Sequence, residues 1–143
     1  MSRVTTSTLE FPYSRTVGPI VGAFLAGLRE HRIVGARGAD RKVFFPPLEY
    51  DPNTGEALTD LVEVGPQATV VSWTWVDEPT SKHPLDRPFA FALVQPDGAD
   101  TAMVHAVDAG NIDAMSTGMR VQPRWRDEPR NRIDDLACWE PLA

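Results

Sequence analysis

The chain has 143 residues, 42% of them hydrophobic and 24% charged, with a formal charge of −6 at pH 7. That length suits one domain with appendages around a real core. The acidic balance weighs against a general affinity for nucleic acid or anionic membranes, and no apolar run approaches the ~18 residues of a membrane-spanning helix. A single cysteine, Cys138, excludes an internal disulfide framework and fits a reducing compartment. Residues Met1 to Thr8 lead into no apolar segment that could serve as a signal peptide, so a cytoplasmic location is expected.

Residues 1 to about 15 are polar and aperiodic and predict an extended arm. From Val17 to about Arg32 the apolar positions Val17, Ile20, Val21, Phe24, Leu25 and Leu28 follow helical spacing. Thr16 is the expected N-cap, Pro19 falls in the first turn where it is tolerated, and Arg29 and Arg32 suit the helix's negative end. Such a helix must dock its apolar stripe on something.

Residues 37–55 then have the outline of a zinc ribbon that has lost its cysteines. Four thiolates from two Cys-x-x-Cys knuckles close a structural zinc site. Here the knuckle positions hold Arg37 and Asp40, then Asp51 and Thr54, on either side of Phe45-Pro46-Pro47. None is a soft ligand and arginine cannot ligate zinc, so no bound zinc is expected. Packing of Phe44, Phe45, Leu48 and Tyr50 should hold the hairpin instead. A salt bridge from Asp40 or Asp51 to Arg37 or Arg41 would add about 1 kcal/mol if exposed. The run Asp51 to Glu56 superficially resembles a calcium loop. An EF-hand needs glycine sixth and glutamate twelfth, however, where this chain has Glu56 and Val62. A tight turn, with Asn53 or Gly55 at positive φ, is the expectation.

Strand patterns follow. Leu61 to Gly65 leads into Ala68 to Val76, rich in β-branched and aromatic residues. A polar loop from Asp77 to Arg87, with prolines at 79, 84 and 88, separates it from Phe89 to Gln95. That run and Ala102 to Val107 are joined through Asp97-Gly98, a hairpin signal. Asn111 to Thr117 predicts a short helical turn, Gly118 to Arg126 a strand, and Leu136 to Trp139 a last short strand. Five or six short strands, a central hairpin and a helical insertion fit an OB-like barrel best, because closure removes exposed strand edges. The expected organisation is an arm and helix over 1–35, a degenerate ribbon-like hairpin over 36–60 and a barrel over 61–143.

This order of elements resembles the acyl-CoA-associated OB-fold family, long catalogued as a domain of unknown function. The matching pieces are Val17-Gly18-Pro19 with Phe24-Leu25 and Leu28, Phe45-Pro46-Pro47, Thr69 to Thr74, Pro88-Phe89 with Ala92-Leu93-Val94, and Gly118 to Val121. The resemblance covers residue 13 to the C-terminus and departs from the family at all four cysteine positions. It implies a mainly β fold: an OB-fold barrel preceded by an N-terminal helix and a metal-free, zinc-ribbon-like hairpin. It also implies a small non-catalytic subunit working with a thiolase-superfamily enzyme, a thiolase-like aldolase or thiolase, and sometimes with an enoyl-CoA hydratase of hot-dog fold. Tyr50-Asp51-Pro52 with Thr54-Gly55, in place of the second knuckle, most resembles members associated with steroid side-chain degradation. There a retro-aldol reaction cleaves an acyl-CoA, so the CoA thioester would be the substrate of the whole complex. Alternatives are a stand-alone CoA- or acyl-CoA-binding module and, disfavoured by charge, a single-stranded nucleic-acid binder.

Read for chemistry, the residues assemble no nucleophile, base and oxyanion hole, and no Walker loop or dinucleotide fingerprint is present. No catalytic residue and no metal ligand are assigned. His31, His83 and His105 are widely spaced and expected to be structural or surface-facing. Cys138 lacks a neighbour that would lower its pKa and is expected to be inert. Arg120, Arg124 and Arg126 should share one strand face, with Trp125 on the other. They are the candidate contacts to CoA phosphates, set against a plain solvated face balanced by Asp127, Glu128, Asp134 and Asp135. Trp73 and Trp75 should share a face opposite Ser72 and Thr74. Candidate partner-binding residues are Tyr13, Phe24, Leu28, Phe44, Phe45 and Tyr50, on the arm, helix and hairpin.

Overall fold

A computed structural model describes residues 18–130 and 132–142. Helix α1 runs from Pro19 to Arg29 and buries Ile20, Phe24, Gly27 and Leu28, the i, i+4, i+7, i+8 face that the sequence periodicity marks. Its N-cap is Gly18, which has no side chain to offer the orphan N–H groups of the first turn. Glu49, from the hairpin, takes that place: its carboxylate accepts the N–H of Val21 at 2.7 Å and of Ile20 at 3.4 Å. Gly18 leaves the room, since a Cβ there would lie 2.2 Å from the Glu49 carboxyl carbon. The predicted cap, Thr16, lies outside the described residues. The helix also ends earlier than predicted. His31 adopts φ 62 and the N–H of Arg32 turns back to the carbonyl of Gly27 at 2.8 Å, a left-handed terminus that releases the chain into a strand.

Strands β1 (Ile33–Arg37), β2 (Val43–Phe44) and β3 (Asp60–Val64) form a three-stranded sheet in the order β2-β1-β3. Gly35 permits the close β1–β2 approach, because a Cβ would meet the Phe44 carbonyl oxygen and the Val43 side chain at 2.8 Å. Five strands follow: β4 (Ala68–Val76), β5 (Phe89–Pro96), β6 (Met103–Val107), β7 (Arg120–Trp125) and β8 (Leu136–Pro141). They close into a barrel in the order β4-β5-β6-β8-β7. A 3-10 turn at Ile112–Ala114 separates β6 from β7, in the place where the sequence predicts a helical insertion. The mainly β fold, with its N-terminal helix and OB barrel, is as the sequence implies.

The division into segments differs. β3 pairs with β1 along its whole length, Ile33 opposite Val64 to Arg37 opposite Asp60, so it belongs to the hairpin sheet. The chain crosses to the barrel at Gly65–Gln67, not at residue 61. Helix and hairpin have a small cluster of their own, Ile20, Ala36, Phe44 and Leu58, but the main core is shared. Phe24 and Leu28 of the helix, Ile33, Val43 and Val64 of the small sheet and Phe45 just after β2 pack in one cluster with Val70, Val94, Val107, Val121, Leu136 and Trp139 of the barrel. The hairpin is also bonded to the β5–β6 turn: Asp100 accepts the Val43 N–H at 2.8 Å, and the Thr101 hydroxyl accepts from Phe45 N–H at 2.7 Å. A smaller cluster, Phe89, Ala106 and Cys138, lies apart from this core, with Val76, Leu85 and Phe91 against it.

Candidate functional site

In the ribbon-like hairpin one carboxylate spans the two knuckle turns. Asp51, only 3% exposed, stands at the first position of the second knuckle. One carboxylate oxygen accepts the N–H of Asn53 in its own knuckle at 2.8 Å, and the other accepts the N–H of Ala39 in the facing knuckle at 3.2 Å. A single anion thus ties both turns through backbone donors. These N–H groups, Asn53 first and then Ala39, hold the Asp51 carboxyl below the usual carboxylate range, against the opposing cost of burial. Gly55, at φ 78, closes the second turn by donating to the Asp51 carbonyl at 2.8 Å. The expected salt bridge does not form: Arg37 pairs with Asp60 at 3.2 Å, both exposed. Of the residues expected to pack the hairpin, Phe44 and Phe45 are buried, but Leu48 and Tyr50 are exposed. Among the described residues no group of three or more His, Cys, Asp or Glu is gathered for a metal ion.

The alternation on β7 is as read, with Val121 in the core and Arg120, Gln122 and Arg124 bonding on the other face. The arginines' partners are not the acids the sequence offered nearby. Arg120 grips Asp97 with two bonds, at 2.6 and 2.8 Å, and adds Thr69 at 2.8 Å. Arg124 donates to Asp108 and to Glu140, each at 2.8 Å. Asp108, with a side chain 5% exposed, also receives Arg87; the Arg87 hydrogen bond is the main reason its carboxyl lies below the usual range. β6, β7 and β8 are thereby stapled where β6 and β8 meet at the single register Val107 opposite Trp139. Arg126 follows an irregularity in the β7–β8 register and is not drawn into either set. Its Nε is buried without a partner among the described residues. The structure therefore does not bring the three arginines together as a free phosphate clamp: two are held by carboxylates of the chain itself.

The candidate docking residues divide in the same way. Phe24, Leu28, Phe44 and Phe45 are at most 6% exposed; they are core residues, the first two and Phe45 packed with the barrel and Phe44 packed between helix and hairpin. Tyr50 is 65% exposed and remains available, beside Leu48 at 38%. Tyr13 lies outside the described residues. Sequence reasoning missed an apolar strip on the barrel, where Val71 and Val104 are exposed and Ser72, Thr74, Phe91 and Leu93 line a shallow groove. The Leu93–Val104 register that aligns the strip was not readable before the strands were paired.

None of the three histidines is placed against Cys138 as a nucleophile's base. His31 stacks on Trp125 with ring centroids 4.8 Å apart. His83 closes a turn with Thr80. Burial lowers the pKa of His105, and its Nδ1 has no partner among the described residues. Burial pushes the Cys138 thiol up to about 11, the environment of an unreactive thiol.

Residues 61–126 match the family described as the ChsH2 C-terminal OB-fold domain. In structure the chain is similar to the "Ltp2-ChsH2(DUF35) aldolase" chain, at a TM-score of 0.64 and 20% identity, over 88% of this chain and 97% of that one. It is also similar to a DUF35-family protein of unknown function from Sulfolobus solfataricus, at a TM-score of 0.61 and 19% identity, over 75% of this chain and 78% of that one. No curated protein matches the sequence.

Proposed function

We propose, from the placement of residues 61–126 in the ChsH2 C-terminal OB-fold family, that this chain is a non-catalytic accessory subunit of a heteromeric acyl-CoA enzyme. The catalytic partner is a thiolase-superfamily subunit, and the reaction is retro-aldol cleavage of an acyl-CoA, with a steroid side chain as the substrate class the sequence resemblance implies. A hot-dog-fold hydratase is a further candidate partner, and the cytoplasm is the expected location. The observation that carries the reading is the family match, supported by similarity of fold across 97% of a chain from the "Ltp2-ChsH2(DUF35) aldolase". The site chemistry agrees. The thiol is buried and its pKa raised, the histidines are engaged structurally or sit without a nucleophile, and the ion pairs of Arg124 brace the barrel. The CoA thioester is on this reading a ligand of the complex.

The test is co-expression with a thiolase-like subunit encoded beside this chain, followed by purification through a tag on one member. Stoichiometric co-elution through size exclusion supports the proposal. Failure of every such neighbour to associate removes it. Saturable binding of free CoA by the isolated chain, lost on Arg126→Ala, would favour the stand-alone module instead.

A further inference from the structure

The loop over residues 77–88 lies against the cluster of Phe89, Ala106 and Cys138 through Leu85, and two contacts fasten it. At one end Arg87 is held by Asp108. At the other, residues 80–83 form a reciprocal clasp: the His83 N–H donates to the Thr80 carbonyl at 3.0 Å, and the Thr80 N–H donates to His83 Nδ1 at 2.9 Å. Because a backbone N–H points at it, Nδ1 carries no proton in this arrangement, and the ring proton sits on Nε2. The same ring lies edge-on to Phe89 and Phe91, centroids 5.7 and 5.9 Å away, and those two rings are themselves edge-to-face at 4.9 Å. One imidazole therefore closes the turn and seats the loop on β5.

We propose that His83 makes this loop a pH-sensitive strap on the barrel wall. In the imidazolium both ring nitrogens are donors, so no rotamer can accept from Thr80. Two N–H groups would face each other at the clasp, and the ring must swing out. The Thr80 hydroxyl, 3.5 Å from Nδ1, already accepts the Lys82 N–H; turning to it would still leave the Thr80 N–H without a partner. The charged groups lining the same hollow are Asp86 and Arg87, and Arg87 is committed to Asp108. β5 presents only Phe89 and Phe91 to the ring, and β6 and β8 contribute Ala106 and the Cys138 thiol to the cluster beneath. The strap is therefore closed while the ring is neutral and loosened once it is protonated. Loosening uncovers Phe89 and Phe91, and Phe91 also lines the apolar groove with Leu93 and Val104. Acid thereby enlarges an apolar surface.

Cys138, the chain's one cysteine and wholly buried in this cluster, reports the opening. The experiment follows its reaction with 4,4′-dithiodipyridine in the full chain and in His83→Asn. The asparagine carboxamide oxygen can accept from Thr80 and does not titrate. Dividing the wild-type rate by the variant's at each pH cancels the thiol's own pH dependence. The ratio should be near one at pH 8 and rise to about fivefold at pH 5.5, the effect of one lost hydrogen bond. His83→Phe, which keeps a ring but no acceptor, should label fast at both pH values. A wild-type to His83→Asn ratio that stays at one throughout overturns the proposal.

Discussion

Replacing Glu49 by alanine tests whether the hairpin nucleates the helix it touches. The carboxylate accepts two first-turn N–H groups of α1 from 28 and 29 residues away, and no side chain at Gly18 can substitute. Losing an N-cap acceptor costs about 1 kcal/mol, and losing a negative charge at a helix N-terminus costs about 0.3–1 kcal/mol more. The freed side-chain entropy of a partly ordered glutamate returns up to ~1 kcal/mol. The net expectation is a loss of about 1 kcal/mol, or about 3 °C in Tm for a chain of this size. Glu49→Gln should lose about half as much, keeping acceptors but not charge. Urea unfolding followed by tryptophan fluorescence gives the energy, and hydrogen exchange locates it. The Ile20 and Val21 amides should exchange faster while β5 amides stay protected. A Glu49→Ala variant within about 0.3 kcal/mol of wild type, with those amides unchanged, would refute the cap, since that is smaller than the cheapest N-cap loss.

Asp51→Ala should raise exchange at the Ala39 and Asn53 amides, while a chelator leaves the wild-type Tm unchanged; a chelator-sensitive Tm would mean that a metal, not the carboxylate, ties the knuckles. Asp108 should make the chain acid-sensitive: its folded pKa is depressed, so its contribution is present above the unfolded value of about 3.9 and lost as pH falls through the lower folded one. Wild type should therefore lose its margin over Asp108→Asn below about pH 4 in pH-dependent melts, whereas a margin constant down to pH 2 would contradict the Arg87–Asp108–Arg124 staple. Leu28→Ala, at a wholly buried helix position, should cost about 3 kcal/mol. It should do so in a single transition that includes the barrel, whereas a separate early transition would show that helix and barrel do not share a core.

Much of the barrel was legible because its strands are local in character. Ala68 to Val76 is nine residues dense in valine, threonine and tryptophan, and β4 occupies those bounds. β1 was not, because Gly35 and Ala36 are poor strand formers that serve close packing against β2. β3 read correctly as a strand but was given to the wrong sheet, since pairing with β1 is a non-local choice that periodicity does not encode. The arginine face followed from alternation, yet its partners, Asp97, Asp108 and Glu140, come from other strands and turns. Phe24, Leu28, Phe44 and Phe45 looked like docking residues because an amphipathic helix and an aromatic hairpin need a surface; the chain's own barrel provides it for Phe24, Leu28 and Phe45, and Ile20, Ala36 and Leu58 provide it for Phe44. The loss of the cysteines was plain, but not that one carboxylate would bridge both knuckles, because that depends on backbone N–H groups meeting in space.

Reconstituted turnover bears most directly on the claim that this chain assists a catalyst and performs no chemistry. Cleavage of a β-hydroxyacyl-CoA thioester is measured with the thiolase-like subunit alone, this chain alone, and both together. Expected are no turnover by this chain, little by the partner, and a large gain on mixing that saturates at a fixed stoichiometry. Turnover by this chain in isolation, or a soluble partner equally active without it, would contradict it.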